Sequence, residues 1–294
     1  MLPPIRVSIV GVGLIGGSLG AALRKVRSRS GGRRYRVAGI DSDARAVILA
    51  KKRGCVDAGG SRPTTALLRA DIVVLATPPR AAVALLRGIW SRVSPGAVIT
   101  DVASVKKGVM DAARGLALAD RRAVSPCFIG GHPIAGSEKA GAPHARADLF
   151  SGAWCALFAA GVRRGRVAPR AKAAVERLWK DVGARPLWMT PEEHDEIVAW
   201  TSHLPHLLAS AYMLSLRRLA GRRTRAGRLT GNAFRDFTRI AASEPRLWSE
   251  ICACNGANLK PAIREFSATM DAFRKKGFPS GMFRRARRVR DALS

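Results

Sequence analysis

Acidic side chains are scarce in this chain. Its 294 residues carry 21 Asp and Glu against 51 Lys and Arg, a formal net charge of +30. Long clean apolar runs are also missing. The most apolar long stretch, 197–216, is interrupted by His203, Pro205 and His206. A bilayer-spanning helix needs about 20 consecutive apolar residues, so no membrane segment is expected. The start, Met1-Leu2-Pro3-Pro4, runs straight into a strand-like segment, and no signal peptide is expected either. The five cysteines (Cys55, Cys127, Cys155, Cys252, Cys254) are odd in number and scattered. Reduced core or surface thiols in a cytoplasmic protein are therefore expected. No His or Cys trio has metal-ligand spacing, so no metal is expected.

The excess of positive charge raises the question of a polyanionic partner. Residues 1–150 hold 24 Lys and Arg against 9 acids, and the remainder 27 against 12. Both halves carry the same excess, and no basic arm concentrates it. Forty of the basic residues are arginine and alanine is abundant, the mark of a compositional bias across a genome. The local excess at 274–294, eight basic residues and Asp291, reads as the solvated face of a last helix. No specific nucleic-acid partner is expected.

At 47% hydrophobic the chain can bury a real core, in one large domain or two ordinary ones. Short β-branched runs predict buried strands at 5–10, 36–40, 71–76, 97–100, 127–129, 154–159 and 185–189. Helical patterns lie between them at 14–26, 44–53, 80–93, 105–114 and 169–182. This alternation predicts a Rossmann-type doubly wound parallel sheet over residues 1–190, of α/β class. Strand-like runs then stop. Thr190 is placed to cap a helix, with Pro191 at its first position and Glu193 completing a capping box. Residues 191–294 are expected to form an all-helical domain.

Gly11-Val12-Gly13-Leu14-Ile15-Gly16 follows the first strand and opens the first helix. In a dinucleotide-binding turn the first glycine makes the bend, the second admits the pyrophosphate and the third lets helix pack on strand. The main-chain N–H groups at Leu14 and Ile15 then face the anion. Asp41, ending the second strand, is placed to bond both ribose hydroxyls and repel a 2′-phosphate, which points to NAD. Arg45 nearby is able to bind such a phosphate, and the helix beginning near Ala44 is better capped by Ser42 or Asp43 than by Asp41. Thr77-Pro78 and Asp101-Val102-Ala103-Ser104-Val105-Lys106 lie just past strand ends, where ligands bind in open α/β sheets. Helix capping is the plainer role for Asp101 and Ser104, and Lys106 is either structural or a source of positive field.

The most informative stretch is Gly130-Gly131-His132-Pro133-Ile134-Ala135-Gly136-Ser137-Glu138. It sets a histidine among glycines and a proline, which is expected to be loop. A nicotinamide cofactor beside such a histidine suggests hydride transfer assisted by a proton acceptor. Later come Ser202-His203-Leu204-Pro205-His206, inside an apolar helical stretch, and Phe234-Arg235-Asp236-Phe237-Thr238-Arg239-Ile240-Ala241. Of Arg235 and Arg239, one can pair with Asp236 while the other forks onto a ligand carboxylate.

Residues 11–18, 101–106, 132–138, 202–206 and 234–241, in this order, resemble the prephenate/arogenate dehydrogenase family of tyrosine biosynthesis. The resemblance implies oxidative decarboxylation of a cyclohexadienyl ring: hydride goes to NAD, and loss of the ring carboxylate as carbon dioxide restores aromaticity. It implies that His132 accepts the proton of the ring hydroxyl and that Ser104 orients that hydroxyl. Arg239 would hold a substrate carboxylate. His206, His194 and Ser137 would line the substrate pocket, and Thr77 would sit near the nicotinamide. It also implies a homodimer through the helical domain. Some relatives carry a fused chorismate mutase or an appended regulatory module, and neither is expected here. The leading expectation is an NAD-dependent prephenate dehydrogenase, with an arogenate-preferring or dual-specificity enzyme as the alternative. A hydroxy-acid dehydrogenase using a lysine base would leave the His132 segment unexplained. A basic NAD-binding regulator that contacts nucleic acid would make His132 dispensable.

Overall fold

The computed structural model describes residues 3–28, 30–137, 139, 141–160, 169–222 and 226–293. The first part runs β1 (Ile5–Val10), α1 (Leu14–Lys25), β2 (Tyr35–Ile40), α2 (Ala44–Lys52), β3 (Ala58–Gly60), α3 (Thr65–Leu68), β4 (Ile72–Leu75), α4 (Pro79–Ile89), β5 (Val98–Asp101), α5 (Lys107–Ala119), β6 (Cys127–Pro133), β7 (Trp154–Ala159), α6 (Pro169–Asp181) and β8 (Arg185–Trp188). Helices follow: α7 (Pro191–Val198), a π-helical turn (Ala199–His203), α8 (Leu204–Arg222), α9 (Asn232–Thr238), α10 (Pro245–Cys254), α11 (Gly256–Lys276) and α12 (Ser280–Ala292). Among the described residues no helix is long and apolar enough to cross a membrane.

The eight strands form one sheet in the order β3-β2-β1-β4-β5-β6-β7-β8. β1 to β6 are parallel, and β1 sits between β2 and β4, where the winding reverses. Apolar side chains cover both faces. On one, Leu19 and Leu23 of α1, Val47 of α2 and Val175, Leu178 and Trp179 of α6 are buried. On the other, Leu86 and Ile89 of α4 and Val109 and Met110 of α5 are buried. Each such side chain contributes roughly 1.5–3 kcal/mol of transfer free energy.

Three features depart from the sequence-based expectation. First, β7 runs antiparallel to β6, with His132 opposite Ala156. Among the described residues the connection between them contains a 3₁₀ turn at Ala142–His144 and no crossover helix, so the chain doubles back. Second, β6 continues through His132 to Pro133, so the histidine sits on a strand and not in a loop. Gly130 and Gly131 are there for space. A Cβ at Gly130 would come within 2.6 Å of the Met110 sulfur, and one at Gly131 within 2.8 Å of the Asp101 carbonyl oxygen. Third, β3 is a strand without β-branched residues. Pairing with β2 imposes it, and Gly59 lets the two backbones approach.

The helical part has a small core of its own: Leu204, Leu259 and Ala262, with Leu208, Ile263 and Phe266 packed on it. Thr190 Oγ1 accepts the Glu193 N–H at 3.1 Å, the expected cap of α7. The apolar stretch after α7 is broken by the π turn, where the Leu204 N–H reaches back to the Ala199 carbonyl. Pro205 has no N–H to offer Thr201, which favours the wider turn there. The cysteines are free thiols: Cys55, Cys127 and Cys155 are buried, and Cys254 is exposed.

One buried ion pair joins the sheet to the turn after β5. Lys106 Nζ lies 2.5 Å from Asp101 Oδ2 and donates to the Gly131 carbonyl at 2.6 Å, with both side chains fully buried. Asp101 Oδ1 accepts the Gly131 N–H at 3.1 Å, and Oδ2 accepts the Ala103 N–H at 3.0 Å. Lys106→Ala would leave the Asp101 carboxylate buried and uncompensated. We expect it to cost about 3–5 kcal/mol in urea unfolding. A loss below about 1 kcal/mol would mean that water or a rearranged partner replaces the ammonium.

Candidate active site

The carboxyl ends of β1, β2 and β4 build the first half of the site. Gly11 has φ +96°, and a Cβ on it would lie 2.3 Å from the Ala76 carbonyl oxygen. A Cβ on Gly16 would strike the Gly11 carbonyl oxygen. Around Gly13 there is open space, and Gly13 is the N-cap of α1 with no side chain satisfying the helix N–H groups. Leu14 and Ile15, half-buried, form its first turn. A tight bend, an open second glycine and an uncapped helix N-terminus are what a pyrophosphate requires. Asp41 Oδ2 accepts the Val12 N–H at 2.9 Å, which draws the carboxylate over the glycine turn. The N-cap of α2 is Asp43, whose carboxylate accepts the Arg45 N–H, so Asp41 is not consumed as a cap. The Arg45 side chain is exposed. Thr77 Oγ1, at the end of β4, is buried with no hydrogen-bond partner, and Pro78 forms the N-cap of α4. The residues present therefore fit a dinucleotide.

The second half centres on His132, half-buried at the end of β6. Its Nδ1 lies 2.8 Å from His194 Nε2, and His194 Nδ1 lies 2.8 Å from Asp195 Oδ1. The two rings meet edge to face, and Phe158 of β7 packs edge-on against His194. Asp195 also accepts the Lys106 and Lys107 N–H groups, at 2.8 and 2.9 Å, supplying the cap that α5 lacks. Burial holds the His132 imidazole well below the usual histidine range, and positive charge on its neighbours, the Lys106 ammonium among them, pushes the same way. His132 is therefore neutral near pH 7, the form that accepts a proton.

The π turn and α8 add two more histidines. His203 is buried and pushed down to about 4 by desolvation, against the pull of Asp195. Asn255, at the junction of α10 and α11, has its Nδ2 3.0 Å from His203 Nδ1 and donates to the Asp195 carbonyl at 2.7 Å. His206 stacks on Trp248 with ring centroids 3.3 Å apart, and its Nδ1 meets the Ser202 carbonyl at 3.0 Å. Burial lowers the His206 pKa, and the Arg239 guanidinium is near enough to add to that shift.

The fold thus brings together residues from five of the sequence segments. Gly11, Gly13, Gly16, Asp41 and Thr77 share the carboxyl edge of the sheet. His132 and His194 are in contact, and His206 and Arg239 influence each other electrostatically. Ser104 lies half-buried in the turn between β5 and α5. Ser137 is exposed, and its hydroxyl accepts the Lys139 N–H at 2.9 Å, closing a local turn. Glu138 lies outside the described residues. His194, expected to line the pocket, is only 2% exposed and has both ring nitrogens engaged within the protein, so it stands behind His132. Sequence reasoning missed Asp195 and Asn255. The direct His194-Asp195 succession at a helix start was the available signal for the first. Asn255 before Gly256 reads as a plain turn.

Residues 23–187 match the model of the prephenate dehydrogenase nucleotide-binding domain, and residues 190–276 that of the prephenate dehydrogenase dimerization domain. A prephenate dehydrogenase of Bacillus subtilis is 31% identical over 91% of this chain and 69% of its own length. A cyclohexadienyl dehydrogenase of Zymomonas mobilis is 32% identical over 71% of this chain and 68% of its own. Among solved structures, prephenate dehydrogenase from A. aeolicus in complex with hydroxyphenyl propionate and NAD+ superposes with a TM-score of 0.83 at 28% identity, covering 100% of this chain and 99% of that one. Synechocystis arogenate dehydrogenase gives 0.76 at 26% identity, over 99% and 100% of the two chains. With two family models end to end and relatives matched over most of its length, the chain belongs to the prephenate dehydrogenase family.

Proposed function

We propose that the protein catalyses the NAD-dependent oxidative decarboxylation of prephenate to 4-hydroxyphenylpyruvate and carbon dioxide. The observation that carries this reading is His132 at the end of β6, where burial disfavours its charged form, in a family member whose glycine turn fits a dinucleotide. NAD, when bound, supplies the hydride acceptor. The pyrophosphate would lie on the N–H groups of Gly13, Leu14, Ile15 and Gly16, and Asp41 would hold the ribose. Thr77 and Pro78 would border the nicotinamide, and the unpartnered Thr77 hydroxyl supports that position. His132 takes the proton of the ring hydroxyl as hydride leaves the same carbon, and Ser104 holds that hydroxyl. The ring carboxylate departs as carbon dioxide, its bonding pair restores the aromatic ring, and the resulting phenolate takes the proton back from the His132 imidazolium.

Arg239 would fork onto a substrate carboxylate beside His206 and Trp248, with Arg235 as the alternative cation one turn earlier. His206 and Ser137 would contact substrate. We assign residues 1–190 to the cofactor domain and 191–294 to substrate binding and dimerisation. The homodimer is supported by the helical part itself: Tyr212, Met213, Leu214, Phe237 and Met270 are each at least 40% exposed around a core of few residues. Apolar surface of that kind marks an interaction face. Sedimentation velocity of the purified chain should give twice the chain mass, and a single-chain mass at micromolar concentration would overturn the dimer.

The direct test is NADH formation by the purified protein with prephenate, and in parallel with arogenate. His132→Asn should lower turnover by about two to four orders of magnitude with NAD affinity near wild type. Because His132 is held well below the usual histidine range, wild-type turnover should persist as pH falls through 6.5, where an ordinary histidine is half protonated. In the same assay Arg239→Gln should weaken substrate binding by about 1.5–3 kcal/mol, one to two orders of magnitude in KM. An unchanged KM would move the anion site to Arg235. Asp41→Ser should raise the NAD dissociation constant and relax discrimination against NADP. A variant that still rejects NADP would remove Asp41 from the ribose site.

A further inference from the structure

Asp195 begins a line of hydrogen bonds whose direction follows from its charge when His194 is neutral. Its two oxygens accept the Lys106 and Lys107 N–H groups at the start of α5. A helix N-terminus favours the ionised carboxylate. Burial opposes that charge, but the bonds from His194 and the two N–H groups outweigh it, and the Asp195 pKa lies below the usual carboxylate range. An ionised carboxylate only accepts, so in the 2.8 Å contact the hydrogen sits on His194 Nδ1. With His194 in its neutral form, that one N–H is its only hydrogen, and Nε2 is left a bare lone pair. His132 Nδ1 stands 2.8 Å from that lone pair and must bring the hydrogen. The remaining nitrogen of His132, Nε2, is then unprotonated.

We propose that Asp195 and His194 are positioning residues that lock His132 into its Nδ1–H form, so that Nε2 is the atom that receives the substrate proton. The proposal rests on the reading of His132 as the base. In the step itself the O–H bond breaks and an Nε2–H bond forms, while NAD takes the hydride. The resulting imidazolium keeps its Nδ1–H pointed at the His194 lone pair, and the Asp195 carboxylate lies one ring beyond. The Lys106 ammonium opposes the positive charge, and Asp101 offsets Lys106. Asn255 fixes the far end of the line. Its amide donates to the Asp195 carbonyl while its oxygen accepts from Asn258 Nδ2 at 2.9 Å.

His194→Phe tests this by removing the acceptor without touching the α5 cap. His132 Nδ1 then has no lone pair to face, and the ring takes both tautomers. Turnover should fall severalfold with the NAD dissociation constant unchanged, because part of the His132 population carries its hydrogen on Nε2. The deciding readout is the nitrogen spectrum of ¹⁵N-histidine-labelled protein with NAD, the His132 signals being identified by their loss in His132→Asn. In the wild type Nε2 should show the shift of an unprotonated nitrogen, and in His194→Phe both ring nitrogens should show the averaged shifts of a tautomer mixture. A protonated Nε2 in the wild type, or retention of the Nδ1–H form alone in His194→Phe, overturns the proposal. Should His194→Phe fail to fold, the wild-type spectrum decides by itself. The spectrum reads the tautomer whether or not prephenate is turned over, so a wild type inactive on prephenate would fail the functional reading and leave the tautomer result standing.

Discussion

The buried Lys106 ammonium is the contact from which the rest of the site hangs. It sits between the Asp101 carboxylate and the Gly131 carbonyl, so it fixes the last residues of β6 against the turn after β5. His132 is the next residue along β6, and α5 begins immediately after Lys106. The same charged group therefore sets the position of the histidine and the direction of the helix whose N-terminus holds Asp195. Such a pair is weak evidence of net stability, because desolvating two charges offsets most of their attraction. Its effect lies in geometry: moving either partner leaves a charge buried without its counterpart.

The two parts of the chain meet through polar contacts at this same point. Asp195 of α7 caps α5, and Glu250 of α10 accepts the Arg80 N–H at 2.7 Å at the start of α4. Both sheet-side helices begin at the carboxyl edge of the sheet, where their N–H groups lack partners of their own. The helical part supplies the carboxylates. The site is therefore assembled by completing helix ends, which fixes the two parts in register without a large shared apolar core. It also explains how a buried line from Asp195 through His194 to His132 can cross from one part to the other.

Particular residues show how far the sequence was legible. The glycine turn between strand and helix and the cap at Thr190 could be read because each depends on neighbours within a few positions. His132 was identified as chemically special for a partly mistaken reason. Its flanking glycines suggested a loop, whereas Gly130 and Gly131 are in a strand that Met110 and Asp101 crowd from outside. His194 was noticed as one of several histidines, but its burial behind His132 depends on β7 turning back and bringing Phe158 against it.

By itself, the sequence determined the alternation of strands and helices, the dinucleotide turn and the switch to helices near residue 190. Those features follow from hydrophobic period, glycine placement and capping, all of which act over short spans of chain. The tertiary structure alone decided the reversal of β7, the stacking of His206 on Trp248 and the line from Asp195 to His132. These depend on groups 42 and 62 residues apart meeting across the junction of sheet and helices. Their interaction energies are set by burial and by which donor faces which acceptor, and a linear order of residues encodes neither until the chain has folded.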